Sequence, residues 1–399
     1  MAHQLSARIE ATLAAMAPFT RFFNDSAWSR RDPADPGNCD FVFGNPHEMP
    51  LPGFVSALQR HVEPRDRNWF AYKDNHPASR RIIADALNRR RGTSYRANDI
   101  FVTNGAFAAI SVSLATLIDQ GDEVIFMSPP WFFYESMIVN NGGTAVRVRV
   151  AERTLDLDLR AIEAAISERT QAIIVNSPNN PTGRIYPPET LERLSRILSA
   201  ASERNGRPIY LLSDESYSRI IFGDRHFPSP AAYYAYSLVL YTYGKTLLTP
   251  GQRIGYIALS PEMPDPERLR EAIMATQFVT GFAFPNALMQ HSLADLEELT
   301  IDMDHLKRKR DLMVNELSSM GYSLALPEGT FYLLVESPLE DDLAFCDELA
   351  RHGVYVLPGA IFEMPGYFRI SLTASDEMIE RSLPGFRAAI RRKGVKANA

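Results

Sequence analysis

The chain has 399 residues, of which 45% are hydrophobic and 23% are charged, and its formal net charge at pH 7 is −6. This length exceeds that of one ordinary hydrophobic core, so two domains are expected. With 42 Lys and Arg residues against 48 Asp and Glu residues, the charge balance argues against a nucleic-acid-binding protein.

Cysteine usage and hydropathy indicate the compartment. Cys39 and Cys346 lie far apart and form no disulfide framework, which favours a reducing environment. No run of 18 apolar residues is present, so no membrane span is expected. Arg8 and Glu10 interrupt the mildly apolar N-terminus, which is therefore a poor signal peptide. The eight histidines lack metal-ligand spacing. We expect a cytoplasmic protein without a metal site.

The N-terminal pattern predicts an amphipathic helix from Leu5 to Met16, followed by an aromatic segment from Phe19 to Trp28 and a loop rich in proline, glycine and aspartate. Helical periodicity returns at about 53–65 and 77–91. We expect residues 1–48 to form an N-terminal arm and part of a smaller domain.

Between Ile100 and Leu259, apolar strand-like runs alternate with helical segments. The predicted strands are 100–102, 123–127, 145–150, 172–176, 209–213, 237–241 and 254–259. Continuous apolar strands separated by helices favour a mostly parallel sheet buried on both faces, in an α/β domain of three layers. Ligands bind at the carboxyl ends of such strands, and the polar motifs below each follow a strand. One shared site is therefore expected.

The remaining chain predicts a smaller α+β domain. A helical region extends to about residue 320, and a last basic helix is expected at 375–394. The strands expected between them are 322–326, 331–335, 354–357 and 367–372. We predict a large domain over 49–290 and a C-terminal small domain over 291–399.

The segment Thr103–Phe107 closes a strand and opens a helix. Its glycine permits a tight turn, and the N–H groups of the helix start favour an anion. Thr242 and Arg253 could supply a hydroxyl and a guanidinium to the same phosphate. Taken alone, the segment is more typical of an ordinary turn.

Other polar motifs follow the next strands. Trp131 stands just beyond two prolines, which suits stacking on a flat ring as well as it suits a core tryptophan. The turn at 176–183 offers asparagine amides as donors. Asp214 ends a buried strand, where a carboxylate is costly unless it is paired with a cation.

Lys245 lies between two buried apolar runs, with Gly244 before it and Arg253 eight residues later. A lysine at the mouth of a buried strand either reaches water or is used chemically. In isolation the pattern favours an ordinary loop lysine. Its combination with the other motifs changes that interpretation.

The joint spacing resembles the fold-type I pyridoxal-phosphate enzymes, specifically the class I/II, aspartate aminotransferase-like family. The resemblance covers nearly the whole chain. It rests on the N-P-T-G sequence at 180–183, on Asp214 with Tyr217 three residues later, and on Lys245 with Arg253 eight residues later. It implies a large domain of the pyridoxal-phosphate transferase fold type I.

The resemblance also implies residue roles. Lys245 would form the Schiff base, Asp214 would pair with the pyridinium nitrogen, and Tyr217 would touch the phenolic oxygen of the ring; these three are the implied catalytic residues. Arg369, with Gly44 and Asn180, would hold the substrate α-carboxylate. The implied cofactor-binding residues are Gly105, Ala106, Phe107, Trp131, Asn180, Asp214, Tyr217, Thr242, Lys245 and Arg253, with Tyr72 donated by the neighbouring subunit of a homodimer.

Three positions depart from the family pattern. Gly244 replaces a common serine and so removes one hydroxyl donor to the phosphate. Pro77 stands where a glycine is usual, and His47 stands where acidic or aromatic residues are commoner. These changes bear on the substrate more than on the cofactor.

The implied function is transfer of the amino group of an L-amino acid to a 2-oxo acid by a ping-pong mechanism, in amino acid metabolism. The scaffold supports other reactions, so a lyase or cyclase acting by β- or γ-elimination or replacement is the alternative. A cofactor-sensing regulator is disfavoured, because the first 45 residues are too short for a DNA-binding domain.

The donor side chain is expected to be neutral, and apolar or aromatic. The stretch 274–284 contains phenylalanines and no basic residue, and Phe22 and Phe23 add apolar surface. An unpaired carboxylate in such a pocket would cost several kcal/mol. The alternative is that these phenylalanines belong to an interface or the core, and His47 and Lys73 remain possible polar contacts.

Overall fold

The computed structural model describes residues 5–283 and 285–391. Its helices are α1 Ala7–Asp25, α2 Ala27–Arg30, α3 Pro52–Val62, α4 Pro77–Arg91, α5 Gly105–Leu117, α6 Tyr134–Asn140, α7 Leu159–Ala165, α8 Pro188–Asn205, α9 Tyr243–Thr246, α10 Pro266–Val279, α11 Ala287–Glu297, α12 Met303–Met320, α13 Asp342–Ala350 and α14 Asp376–Arg391. Its strands are β1 Cys39–Asp40, β2 Ile100–Thr103, β3 Glu123–Ser128, β4 Thr144–Arg149, β5 Thr170–Asn176, β6 Tyr210–Asp214, β7 Ser237–Thr242, β8 Gly255–Leu259, β9 Tyr332–Glu336, β10 Val354–Tyr355, β11 Leu357–Pro358 and β12 Tyr367–Ser371.

A seven-stranded sheet with the order β2-β8-β7-β6-β5-β3-β4 forms the centre of the molecule. The strands from β3 to β7 run parallel, whereas β8 is antiparallel to both of its neighbours, β2 and β7. The expected mostly parallel α/β sheet is confirmed. The reversal at β8 returns the chain directly from β7, so the loop between them lies at the edge where the parallel strands end.

Helices cover both faces of this sheet, because alternate strand residues are apolar on both sides. Phe126 and Ile174 pack against α5 and α10 on one face. Ile125 and Ile173 pack against α7 and α8 on the other. The edge strand β4 is partly exposed, while β2, β3, β7 and β8 are buried along their whole length.

A second unit is built on an antiparallel three-stranded sheet, in which β12 lies between β11 and β9. The strand β1 pairs in parallel with β10, which ties the N-terminal segment to this unit. The strand expected at 322–326 is reduced to one bridge between Leu324 and Val335. The last expected helix is present as α14, and its predicted end at residue 394 lies outside the described residues.

The first helix is longer than the sequence predicts. The prediction ended it at Met16, two residues before Pro18, which cannot donate a helical hydrogen bond. The helix continues through Pro18 to Asp25, and Phe22 is buried against Val42, Leu334 and Leu357. Burial of the aromatic segment outweighs the proline penalty, so that segment is helical.

Among residues 5–283 and 285–391, every helix is too short or too polar to traverse a lipid bilayer.

Candidate active site

Side chains at the carboxyl ends of β5, β6 and β7 line one cavity of about 510 Å³. The start of α5 and residues from the β12 sheet complete its wall. The sequence-predicted residues that line it are Gly44, Ala106, Phe107, Trp131, Asn180, Asp214, Tyr217, Thr242, Lys245, Arg253 and Arg369. The carboxyl edge of the sheet thus gathers motifs that are spread over more than 300 residues of chain.

Lys245 lies on the single turn of α9, immediately after the buried strand β7. Thr242 caps this turn by accepting a hydrogen bond from the N–H of Gly244 at 3.3 Å. The Lys245 Nζ atom lies 5.7 Å from the ring centroids of Tyr217 and Phe331. Within the described part of the chain it has neither a hydrogen bond nor an ion pair, so the amine is available in the cavity.

Asp214 ends β6 and is buried. Its Oδ2 accepts a hydrogen bond from the Tyr134 phenol at 2.5 Å, and its Oδ1 accepts from Oγ and N of Ser216 at 2.7 and 3.1 Å. Burial raises the pKa of Asp214, against these hydrogen bonds and the positive charge of Lys245, which lower it. No cation among the described residues forms a salt bridge with this carboxylate. A cationic ligand atom in the cavity would complete it.

Gly105, Thr242 and Arg253 converge where α5 begins. Gly105 has φ +80°, and a Cβ there would lie 3.0 Å from Nη2 of Arg253 and 3.3 Å from Oγ1 of Thr242. Glycine therefore lets the helix start approach a hydroxyl and a guanidinium closely. Arg253 has no carboxylate partner in the described residues, and burial lowers its pKa. Together these groups form a cradle for an anion.

Gly244 faces the same region, and its lack of a side chain has a steric reason. A Cβ at this position would lie 3.1 Å from the Cα of Pro250. A serine here would crowd that backbone, so the lost hydroxyl follows from the path of the loop that carries Pro250.

Trp131 lines the cavity beside a group of other rings. Its ring meets Phe107 edge-on at 4.5 Å and Tyr134 edge-on at 5.4 Å between centroids. These edge contacts hold the indole in place, as is required of a surface on which a flat ligand ring stacks.

Arg369 on β12 is buried, and its neighbours are neutral. Its Nη1 donates to Oδ1 of Asn180 at 2.8 Å, and its Nη2 donates to the carbonyl of Val42 at 2.9 Å. Its Nε has no hydrogen-bond partner among the described residues. Because a buried guanidinium without a carboxylate is costly, this site favours an anionic ligand.

Tyr217 and Tyr332 form a phenol pair beside Arg369. Their hydroxyl oxygens are 3.5 Å apart, and burial raises the pKa of Tyr217. Gly44 approaches this pair so closely that a Cβ there would lie 2.7 Å from the Tyr332 oxygen. Glycine at 44 therefore allows the N-terminal loop to close the arginine end of the cavity.

Three residues considered as contacts are not found in the cavity of a single chain. Tyr72 is 89% exposed, and His47, whose backbone N–H donates to the Thr373 carbonyl, is also exposed. Lys73 bonds to the Asn68 carbonyl. None of the three lines the cavity among the described residues.

The phenylalanines expected to form the substrate pocket also lie elsewhere. Phe22 belongs to a core cluster, Phe23 and Phe278 are about half exposed, and Phe282 packs beside α5 and α10. None of these lines the cavity of its own chain, and Phe284 lies outside the described residues.

The sequence did not indicate several residues that line or support the site. Asn176 donates to the Asp214 carbonyl at 3.0 Å and accepts from the Asn180 N–H at 2.8 Å, so it fixes one motif relative to another. Tyr134 follows Trp131 in an aromatic run, which was the available signal for it. Tyr332 had no such signal, because it comes from a distant strand.

The fold also brings Glu48, His305 and Asp376 together at the surface, with potential ligand atoms within 4.8 Å of one another. Lys309 Nζ already lies 2.5 Å from Glu48 and 2.8 Å from the Ala374 carbonyl. Since an ammonium group occupies this position, we interpret the group as an ion-pair cluster.

Known proteins match this chain over most of its length. A family model described as aminotransferase class I and II matches residues 39–384. The aspartate/prephenate aminotransferase of Thermus thermophilus is 31% identical over 352 residues, which cover 85% of this chain and 88% of the relative. The probable aspartate aminotransferase of Methanocaldococcus jannaschii is 31% identical over 82% of this chain and 87% of its own.

Solved structures agree in fold. An amino transferase from Eubacterium rectale has a TM-score of 0.85 and 29% identity, covering 98% of this chain and 96% of the other. The aspartate aminotransferase of Thermus thermophilus with maleate has a TM-score of 0.81 and 27% identity, covering 97% of this chain and all of the other.

Proposed function

This chain belongs to the class I and II aminotransferase family, and we propose from that membership how its residues divide the work of the reaction. The protein is a pyridoxal-phosphate-dependent aminotransferase, which moves an amino group from an amino acid to a 2-oxo acid. When bound, the cofactor supplies an electron-withdrawing ring that stabilises negative charge on the substrate Cα.

The charges of the cavity support the fit to this cofactor. The charged lining residues are Asp214, Lys245, Arg253 and Arg369, and none forms a salt bridge within the described residues. Three cations and one carboxylate leave an excess of two positive charges. A phosphate monoester carries about −2 at neutral pH, and a substrate carboxylate carries one more negative charge. This set of unpaired charges is the observation that carries the proposal.

Cofactor binding is assigned to two ends of the cavity. Thr242, Arg253 and the N–H groups at the start of α5 bind the phosphate, and Gly105 lets them converge. Asp214 would hold the protonated ring nitrogen, because a cation placed against the buried carboxyl lowers its raised pKa. Trp131 would hold the ring by stacking, and Asn180 and Tyr217 would offer hydrogen-bonding groups to its oxygen.

Lys245 is the group that attaches the cofactor and later moves the proton. Its amine would lie next to the substrate Cα, where it would accept the Cα proton as general base and hold it for return as general acid. Arg369 and Gly44 hold the α-carboxylate of the substrate. A bidentate guanidinium contact fixes the orientation of the Cα–H bond toward the lysine.

A homodimer with shared sites is proposed on two grounds. Tyr72 lies outside the cavity of its own chain and is exposed, which suits a residue that serves the neighbouring subunit. Large apolar side chains are exposed at Met49, Phe70 and Val279. Apolar surface of this kind is typical of an interface between subunits.

Two further proposals concern domains and location. The helix α11 crosses the predicted boundary at 290, and its Met289, Leu293 and Leu296 pack with the core of the seven-stranded sheet. This packing supports a large domain that extends from residue 49 to residue 297, and we propose that the described residues before and after it form the small domain. The free thiols of Cys39 and Cys346 suit a cytoplasmic location, and amino acid biosynthesis is the proposed role.

The test of this proposal is covalent mapping combined with a half-reaction. Borohydride reduction of the holoenzyme should attach the cofactor to Lys245, and Lys245→Ala should bind cofactor without attachment or turnover. The control is Lys307→Ala, which removes a surface ion pair with Asp311. Mixing the holoenzyme with single amino acids should convert the cofactor to its amine form. Attachment to another lysine would overturn the assignment, and ammonia release without that conversion would indicate a lyase.

A further inference from the structure

One wall of the cavity consists of phenylalanine rings. Phe19 on α1 stacks on Phe132 with 5.0 Å between centroids and an interplanar angle of 16°. Phe133 contacts both rings, at 4.9 Å from Phe19 and 4.8 Å from Phe132. Phe43 contacts Phe19 at 6.3 Å. All four rings line the cavity, and we call them the phenylalanine wall.

This wall adjoins both ends of the site. Phe43 follows Val42, whose carbonyl accepts from Arg369, and precedes Gly44. Phe132 and Phe133 follow Trp131, which lines the cavity beside them. A substrate anchored by its α-carboxylate at Arg369 and by its amino group at the cofactor would have its side chain in the remaining space, which the wall borders.

The cations of the cavity are already committed. Arg253 serves the phosphate, Arg369 serves the α-carboxylate and Lys245 serves the proton transfer, and the described lining contains no other Lys, Arg or His. The nearest basic residue on α1 is Arg21, which is exposed and whose Nε bonds to the Ala17 carbonyl of its own helix. Within the described lining of its own chain, a second carboxylate on the substrate would therefore face aromatic rings without a cation.

We propose that the preferred amino donor carries a large apolar side chain, above all an aromatic one, and that Phe19 of α1 is a specificity-determining residue. This inference rests on the proposed function, because it takes Arg369 as the α-carboxylate site. Aromatic side chains gain both burial and edge or stacked ring contacts against such a wall.

Binding of unreactive analogues to the holoenzyme tests the wall without turnover. 3-Phenylpropionate and succinate lack the amino group of phenylalanine and aspartate, so neither reacts. We expect phenylpropionate to bind at least about tenfold more tightly than succinate, measured by titration of the cofactor spectrum or by calorimetry. Tighter binding of succinate would overturn the proposal.

Steady-state kinetics with phenylalanine, leucine, alanine, aspartate and glutamate provide the second measurement. We expect kcat/KM for phenylalanine to exceed that for aspartate by at least about tenfold. If no amino acid converts the cofactor, transamination itself is wrong, whereas analogue binding still reports on the wall. If aspartate has the highest kcat/KM of the five, the inference about the wall is wrong and the aminotransferase function stands.

Variants on α1 assign the effect to Phe19. Phe19→Ala should lower kcat/KM for phenylalanine about tenfold and leave alanine within about twofold, because a methyl side chain does not reach the wall. Phe19→Leu should have a kcat/KM for phenylalanine between those of the wild type and Phe19→Ala. This variant remains informative if Phe19→Ala folds poorly. The control Leu13→Ala removes an exposed apolar side chain of the same helix, outside the cavity. An equal loss in Phe19→Ala and Leu13→Ala would contradict the assigned role.

Discussion

The phenol of Tyr134 donates a 2.5 Å hydrogen bond to Oδ2 of Asp214, across 80 positions of the chain. The two residues come from the start of α6 and the end of β6, and both are buried. Ser216 donates to Oδ1 of the carboxylate, and the phenol donates to the other oxygen, Oδ2. The phenol therefore stabilises the charged form of Asp214 through Oδ2. Tyr134 is in this sense a positioning residue for Asp214.

Tyr134→Phe should lower kcat by about 10- to 100-fold, because a hydrogen bond to a charged group contributes about 1.5–3 kcal/mol. Loss of the bond raises the pKa of Asp214 further, so the acidic limb of the kcat profile should shift to higher pH. Tyr186→Phe is the matched control, since its buried hydroxyl has no partner among the described residues. Similar pH profiles for wild type and Tyr134→Phe would contradict this role.

Asp214→Asn should have opposite effects on the two forms of the protein. In the cofactor-free form, removing an unpaired buried charge should raise the free energy of unfolding at pH 7 by about 1–3 kcal/mol. In the holoenzyme, kcat should fall because the ring nitrogen loses its counter-ion. The loss should correspond to an increase of several kcal/mol in the activation free energy. Thermal unfolding with and without cofactor measures the first effect. A variant within about twofold of wild-type kcat would contradict the second.

The pH dependence of the first effect has a definite sign. Burial raises the pKa of Asp214 above its ordinary value of 3.8, so between pH 3.8 and the raised pKa the folded cofactor-free protein holds a proton there that the unfolded chain releases. Stability is therefore lost as the pH rises from 3.8 through the raised pKa. The difference between Asp214→Asn and wild type should be absent at low pH and grow with pH. A difference independent of pH would indicate another cause.

Gly244→Ser should destabilise the folded protein, although it introduces the hydroxyl that is common at this position in the family. The new Cβ would lie 3.1 Å from the Cα of Pro250, and overpacking of this kind costs about 1–3 kcal/mol. We expect a lower melting temperature and no gain in cofactor affinity. In the same loop, a Cβ added at Gly251 would meet no atom within 4 Å, so Gly251→Ser is the neutral control. Tighter cofactor binding by Gly244→Ser would show that the loop adjusts freely.

Mixing Lys245→Ala with Tyr72→Phe, or with Tyr72→Ala if the milder change stays active, should restore activity. Random exchange of subunits makes about half of the dimers mixed, and each mixed dimer has one intact site, so recovery should approach about a quarter of wild-type activity. Subunits are unfolded, mixed and refolded before the assay.

The control mixture pairs Lys245→Ala with Asp214→Asn. Both residues line the cavity of one chain, so every site in a mixed dimer lacks one of them and activity should not return. Recovery in both mixtures, or in neither, would contradict a shared site. A monomer in sedimentation velocity would do the same.

Much of the central sheet was predictable, because its strands are buried on both faces and read as continuous apolar runs. The predicted strand 237–241 is observed as Ser237–Thr242, and 123–127 as Glu123–Ser128. The antiparallel direction of β8 was not predictable, because a buried strand has the same apolar pattern in either direction. In the small unit, 322–326 fails as a strand because only Leu324 finds a bridging partner.

The charged residues of the site were predictable for a related reason: Asp214 and Lys245 follow strands, and the sheet brings strand ends together. The aromatic wall was not. The predicted helix ended at Met16 and Phe19 was assigned to a separate aromatic segment, so only the continued α1 brings Phe19 onto Phe132. Tyr332 reaches Tyr217 through the packing of two units, which no local pattern encodes.

The place of β7 in the sheet has a consequence for how the protein loses its cofactor. This strand lies between β6 and β8, inside the sheet, and every one of its residues is buried. Its amide hydrogens should therefore exchange with solvent only in the globally opened molecule, whereas those of α1 at the rim should exchange through local fluctuations. Lys245 directly follows the strand expected to exchange most slowly, whereas Phe19 lies on a helix expected to exchange faster. Local opening of α1 should therefore expose the phenylalanine wall while the strand before Lys245 stays folded.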